Sequence, residues 1–386
     1  MDPTPLDPTP PEAPGSESGS EPASPLGSDP APSGVQPGRS WLGLATILAL
    51  PLHAALLWAS RGTPDAVEAV YGGWVFPAIS WIQRQLDALA SPLSPAILIL
   101  ALLVLGVARR ARRDQRPLRS FAWRMLVATA IVGHLFPLCW GWSYWRPSVL
   151  ARQKISSEPP TRAELEATGV LLGQAVNRAW LTWPEDPDWH DLDRRVDAAV
   201  LTFLEEEGLG EAAHSSRIRF LPSGVMFVGG WTGVTIPWTT EGWVDPAVDP
   251  RILPVCIAHE KAHQASFARE SDANLIAFLA LLRSPDRDLR YAALFDLAPV
   301  FGAEVKVPVV LAPAVQEDLN QAVAREKEAR VEVVEETTTA VYDSYLKANA
   351  VEPGIGDYDA VALRVQAWLR AHPEDWARLE AIARGE

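Results

Sequence analysis

Three uncharged apolar runs stand out early in the chain. Trp41 to Ser60 (WLGLATILALPLHAALLWAS) has no charged residue over 20 positions, the length needed to cross a hydrocarbon core of about 30 Å. Trp41 and Trp58 bracket it as interfacial aromatics do. A second run covers Pro92 to Ala108, and a third, Met125 to Trp145, ends in Trp140, Trp142 and Trp145. These runs predict three transmembrane helices, at about 41–60, 92–108 and 125–145. Between the first two, Val67, Val70, Tyr71, Trp74, Ile79 and Ile82 recur at broadly helical spacing. That pattern predicts a segment over 61–91 lying on a membrane surface.

From Arg146 onward the pattern becomes amphipathic, with apolar positions at helical spacing near 161–181, 188–207, 251–265, 270–283, 287–301, 314–348 and 358–384. Arg217 to Trp243, rich in Gly, Val, Phe and Trp, interrupts it and reads as a short β-ribbon. The expected fold class is mainly α: three transmembrane helices followed by a mostly helical domain with a short β-ribbon. The expected domains are residues 1–40, 41–145 and 146–386.

Composition changes this picture at the N-terminus. Residues 1–40 hold 11 of the 34 prolines and almost no large apolar side chains, so no core can offset their ordering entropy. A disordered Pro/Ser/Gly-rich tail is expected. It lacks the basic start and immediate apolar core of a signal peptide.

Charge sets orientation. Arg109, Arg110, Arg112, Arg113, Arg116, Arg119 and Arg124 lie between the second and third runs, and the positive-inside rule makes that loop cytoplasmic. The N-terminus is then cytoplasmic, and everything after Trp145 is extracytoplasmic, in a multi-pass protein of the cell membrane. The net charge of −14 excludes general affinity for nucleic acid, which needs a basic face. Cys139 and Cys256 give neither a disulfide framework nor a cysteine zinc site.

The candidate chemistry lies in His259-Glu260-Lys261-Ala262-His263, an H-E-x-x-H pattern. Residues four apart share a helix face, so both imidazoles can reach one metal ion. Glu260 stands at the edge of that face, where a carboxylate can act as general base. Lys261 is expected to point to solvent. The frequencies of His and Glu make a chance match on the order of one in a hundred.

A catalytic zinc site takes three protein ligands and keeps one position open. Glu270 is the leading third ligand, with Asp296 and Glu304 next. On a straight helix Glu270 would lie roughly 10.5 Å beyond His263, too far to share an ion. The helix must therefore break at Gln264-Ala265-Ser266 and fold Glu270 back on a second helix. The expected cofactor is one Zn2+.

The segment HEKAHQASFARESDANL resembles an uncharacterised bacterial family of three-span membrane proteins with a zincin-type motif, catalogued as a domain of unknown function. That family's pattern is similar to H-E-x-A-H-Q-x-G-F-A-R-E-x-E-A-N-F. Here Ser266 replaces a usual glycine, Asp272 a glutamate and Leu275 a phenylalanine. The likeness extends over about 41–365 and includes Pro222-Ser223-Gly224, Pro237-Trp238-Thr239, Tyr345 to Asn349, Gly356 and Tyr358. It implies a zincin-like domain. In glutamate-type zincins the glutamate matching Glu270 binds zinc and a later polar residue supports a histidine, a part that Asn274 or Asp272 would take here.

These readings together lead to an expected membrane-anchored zinc metallopeptidase, with Glu260 as base and His259, His263 and Glu270 as ligands. Its partners would be the lipid bilayer and a peptide or protein substrate. The ribbon 225–238 is placed to hold an extended peptide by strand addition, or to cap the motif helix. Tyr291, His214, Tyr345 and Arg269 are candidate oxyanion donors. Two further readings are a metal-stabilised scaffold without catalysis and a hydrolase of another amide, such as a cell-wall cross-link.

Overall fold

A computed structural model describes residues 38–90, 93–114, 117–156, 158–183, 191–210, 216–329, 332–348 and 361–386. The expected disordered tail over 1–40 lies outside the described residues up to residue 37, its last three residues opening the first helix; His214, Asn349, Gly356 and Tyr358 lie outside them too, as does the side chain of Tyr345. The chain divides into residues 1–42, of which only the start of the first helix is described, and one unit over 43–386.

The first helices are α1 (Gly38–Ser60), α2 (Pro64–Val67), α3 (Phe76–Ala90), α4 (Pro95–Ala111) and α5 (Pro117–Cys139), with a π-helical stretch Glu68–Val75 joining α2 to α3. Trp41–Ser60 and Pro117–Trp145 are long and apolar enough to cross a membrane, and Pro64–Ala90 with Pro95–Ala111, bent by 83°, adds a third if that pair forms one span. The second run begins later than expected because Ser94 caps α4, accepting from the Ile97 amide at 3.1 Å, with Pro95 in the first turn. The third helix begins earlier, at Pro117, because helix geometry continues past the apolar run into the arginine-bearing segment. In the middle of α1 and α5, His134 Nε2 donates to the Thr46 carbonyl at 2.8 Å. Its Nδ1 then accepts from His53 Nδ1 at 2.9 Å, a polar link between the two helices.

Trp140 and Trp145 do not face outward as interfacial aromatics would. Beyond α5 a 3-10 turn, Gly141–Trp145, tucks both against the protein, where they are buried. Tyr71 reaches the same turn, its hydroxyl 3.1 Å from Ser143 Oγ. Arg146 grips Glu68 through two bonds of 2.6 and 2.8 Å, tying the start of the domain to the π-helical stretch.

The domain continues with α6 (Val149–Arg152), α7 (Arg162–Trp180) and α8 (Leu192–Glu206), then strands β1 (Arg219–Phe220), β2 (Gly233–Ile236) and β3 (Glu241–Val244). It closes with α9 (Leu253–Gln264), α10 (Glu270–Arg283), α11 (Arg287–Val305), α12 (Pro313–Ala329), α13 (Glu332–Ala348), α14 (Val361–Ala371) and α15 (Pro373–Arg384). The run expected over 358–384 is two helices because Pro373 has no amide to continue the first. That over 314–348 is likewise described as two.

Helix α10 is the centre of the core. From Leu275 to Leu282 every side chain is buried, which an all-apolar helix requires. It packs on α8, α9, α11 and α14, with Phe203, Phe295, Phe301 and Trp368 filling the surrounding layer. The ribbon is a three-stranded sheet in the order β1-β3-β2, with β1 parallel and β2 antiparallel to β3. Strand β2 is thus an edge, and β2 and β3 both lie on α9. Glycines permit that close approach: a Cβ on Gly233 would stand 3.0 Å from Glu260 Cγ and Cδ, and one on Gly242 would stand 3.0 Å from Gln264 Nε2.

Candidate metal centre

The motif lies on α9, whose faces are almost wholly covered. The helix stops at Gln264, at the expected break. Ser266 adopts φ +70°, its amide donates to the His263 carbonyl at 2.9 Å, and the Phe267 amide donates to the Ala262 carbonyl at 3.2 Å. This is the left-handed termination usually given to glycine. Ser266 Oγ is held 2.6 Å from Ser143 Oγ, so the turn rests on the 3-10 segment that follows α5.

The turn brings Glu270, at the start of α10, back over the motif. Its Oε2 is 3.0 Å from His259 Nε2 and 3.4 Å from His263 Nε2. One ligand atom from each of the three residues lies within 4.8 Å of the others. Both imidazoles are oriented from behind. His263 Nδ1 donates to the Phe267 carbonyl at 2.7 Å, and His259 Nδ1 donates to Asn274 Oδ1 at 2.7 Å. Each Nε2 is therefore the nitrogen turned toward Glu270. Two imidazole nitrogens and a carboxylate oxygen converge here, His263 and Glu270 buried and His259 partly so; with both rings neutral they form a donor set that fits zinc.

Electrostatics follow from this crowding. Burial opposes charge on both His263 and Glu270, yet each group's nearness to the other outweighs it. The carboxylate pushes His263 up to about 9, and the two histidines hold Glu270 well below the ordinary carboxylate range. Glu260, 4% exposed, is pushed up by burial, against the opposing pull of His263, His259 and the Thr235 hydroxyl. That hydroxyl donates to Glu260 Oε2 at 2.7 Å from the edge strand β2.

The other expected site residues divide. Asn274 supports His259, whereas Asp272 Oδ1 turns to the Val149 amide and Arg364, at 3.2 and 2.8 Å, fastening α10 to α6 and α14. Glu304 accepts from the Ala362 amide at 2.8 Å and stays away from the cluster. Tyr291 is buried between Trp183 and Phe295, and Arg269 donates to the Tyr144 carbonyl at 3.0 Å. Neither lines the cavity described below. Lys261 is buried rather than solvated, its Nζ 2.7 Å from Asp193 and 3.3 Å from Asp197 on α8.

His259, Glu260, His263 and Glu270 open onto a cavity of about 700 Å³. Strand β2 and the residues before it form one wall, and Phe136, Trp140 and Tyr144 from the end of α5 form another. Asp249, Asp296, Arg325 and Glu326 also line the cavity. Burial pushes Asp296 up to about 6, His259 opposes this and Glu326 adds to it. Thr235, Asp249 and Glu326 carry no motif signature and were not legible as site residues.

No curated protein and no solved structure matches the chain. A family model does: its match starts within α3, leaves α1 outside, and takes in the cluster, the ribbon and most of the helical domain. Covering residues 76–363, it places this chain in the family described as protein of unknown function (DUF3810).

Proposed function

We propose that this chain is a membrane-anchored zinc metallopeptidase. The observation that carries the reading is the convergence of His259, His263 and Glu270 beside a buried, unligated carboxylate, Glu260, in one cavity. Zinc, when bound there, supplies Lewis acidity toward a carbonyl and makes water acidic near neutrality. Phe267 and Asn274 keep both imidazoles in the ligating tautomer. Thr235 holds Glu260 Oε2 by its hydroxyl, leaving the carboxylate to take a proton from cavity water and return it to the departing amine. Raised basicity from burial suits it to that task. The edge strand β2 supports an extended substrate through main-chain hydrogen bonds.

The domain is zincin-like in this reading, and the helices apolar enough to cross a bilayer anchor it with three spans. The arginine-rich segment 109–124 puts the N-terminus inside and the catalytic domain outside. A scaffold that keeps metal for stability alone has no use for Glu260, which is costly to bury.

The test is metal content and peptide cleavage for the detergent-purified chain beside Glu260→Gln. Near-stoichiometric zinc in both, with cleavage reduced by about 10²–10⁴ in the variant, is expected. Zinc in both with equal cleavage would remove Glu260 from the mechanism. Absence of metal from both folded proteins would remove the site.

A further inference from the structure

The cavity is not walled by the helical domain alone. Phe136 in the last turn of α5, with Trp140 and Tyr144 just beyond it, forms the side nearest His263. Trp140 meets the His263 ring edge-on, with centroids 5.5 Å apart. Phe136 meets Trp238, two residues after β2, at 6.4 Å. The edge strand, the metal ligands and the end of an apolar helix thus share one enclosure.

The ribbon around that enclosure leaves apolar side chains partly exposed, among them Trp231 and Trp238, which also line the cavity. Trp231 and Trp238 are 40% and 38% exposed, and Phe220, Val225 and Val228 are exposed beside them along the chain. Water is a poor solvent for such a surface, whereas tryptophan is enriched at the headgroup level of a bilayer. The ribbon is also fastened to the apolar helices. Gln83 donates to the Pro237 carbonyl at 3.1 Å, Arg219 pairs with Asp87 at 3.2 Å, and buried Glu241 accepts from the Ala96 amide at 2.7 Å. These contacts hold the exposed aromatics of the ribbon next to the first turn of α4 and the last turn of α5.

Resting on the peptidase reading above, we propose that the substrate is a membrane-attached polypeptide, cut next to its lipid or transmembrane anchor. The anchor stays in the bilayer beside the tryptophan rim, and the chain leaving it adds to the edge of β2. With His263 so near the end of α5, the cut falls within about five extended residues of the bilayer surface, at roughly 3.3 Å per residue.

The test uses the full-length, zinc-loaded protein in phosphatidylcholine vesicles and a sequence-degenerate peptide pool in three forms. One form is free, one carries a palmitoyl anchor on a spacer of about two residues, and one carries it on a spacer of about twelve. Both anchored forms concentrate on the same surface, so only reach separates them. The short-spacer pool should be cut at least about tenfold faster than the long-spacer pool, with cuts clustered near the anchor. Glu260→Gln should bind the short-spacer pool in preference to the free one without cutting it. Replacing Trp231 and Trp238 together by serine should erase the difference between spacers while zinc content is kept. Equal cutting of all three pools, or cutting of the free pool alone, would overturn the membrane-attached substrate and leave the peptidase standing. No cutting of any pool by zinc-loaded protein would overturn the peptidase reading, and this proposal with it.

Discussion

The hydroxyls of Ser143 and Ser266 lie 2.6 Å apart, joining the turn after α5 to the turn that folds Glu270 onto the motif histidines. Ser266 sits at φ +70°, where an L-residue pays about 1–2 kcal/mol, and its hydrogen bond returns about 1 kcal/mol. Ser266→Gly relieves the backbone and loses the bond, so its thermal midpoint should stay close to that of the parent. Ser266→Val keeps the backbone cost, adds a β-branched side chain and loses the bond. It should destabilise by about 2 kcal/mol or more and lower zinc content. Thermal unfolding in detergent with metal analysis checks both. A fully stable Ser266→Val would show that the turn does not hold the ligands.

Asn274 Oδ1 lies 2.7 Å from His259 Nδ1, so in the proposed site it would act on zinc only through that ring. Removing such an orienting group costs about 10–100-fold in metal affinity. Asn274→Ala should therefore weaken zinc by that factor in a chelator competition, while Asn274→Asp restores an acceptor and recovers most of it. Equal zinc affinity in all three proteins would reduce Asn274 to packing.

How much of this was legible in the chain depends on whether the determinant is local. The i, i+4 histidines, the break at Ser266 and the return of Glu270 follow from helix pitch and ligand reach, and the motif helices fall within a few residues of their expected bounds. Lys261 was misplaced because its partners, Asp193 and Asp197, stand on α8, more than sixty residues earlier. The tryptophans after α5 look the same in sequence whether they face lipid or a protein wall. Only the tertiary fold turns Trp140 onto His263. Thr235 and Glu326 likewise gain their places at the cavity from β2 and α12, whose packing no nearby residue dictates.

Asp296 gives a pH-dependent prediction. Burial lifts its pKa from 3.8 to about 6, so the folded chain binds a proton that the unfolded chain has released. A raised carboxyl pKa stabilises nothing at neutral pH. Its cost is absent below about pH 4, grows between pH 4 and 6, and is constant above. Asp296→Asn removes the ionisable group, and should raise stability at pH 7 by on the order of 2–3 kcal/mol, with no gain at pH 4. Unfolding of chelator-treated protein at both pH values checks it. An equal effect at the two would assign the change to packing instead.

A substitution at Gly233 tests the proposed base apart from the proposed ligands. The glycine lies on the edge strand over Glu260, and a Cβ there would stand 3.0 Å from Glu260 Cγ and Cδ and closer still to Oε1. The Thr235 hydroxyl holds the buried carboxylate at 2.7 Å, so the side chain has little room to retreat. The strand must lift or the carboxylate must turn, and either moves the base from its place beside the histidines. His259, His263 and Glu270 are held by α9, α10 and the Ser266 turn, and the three atoms nearest the new methyl all belong to the Glu260 side chain rather than to these three residues. Gly233→Ala should therefore keep zinc content and fold, and lose about 10²-fold or more in kcat, since misplacing a catalytic group by an ångström costs about that much. Cleavage and zinc analysis on one preparation decide it. Loss of zinc together with activity would mean that the strand also shapes the ligand set, and unchanged cleavage would move the proton-transferring group away from Glu260.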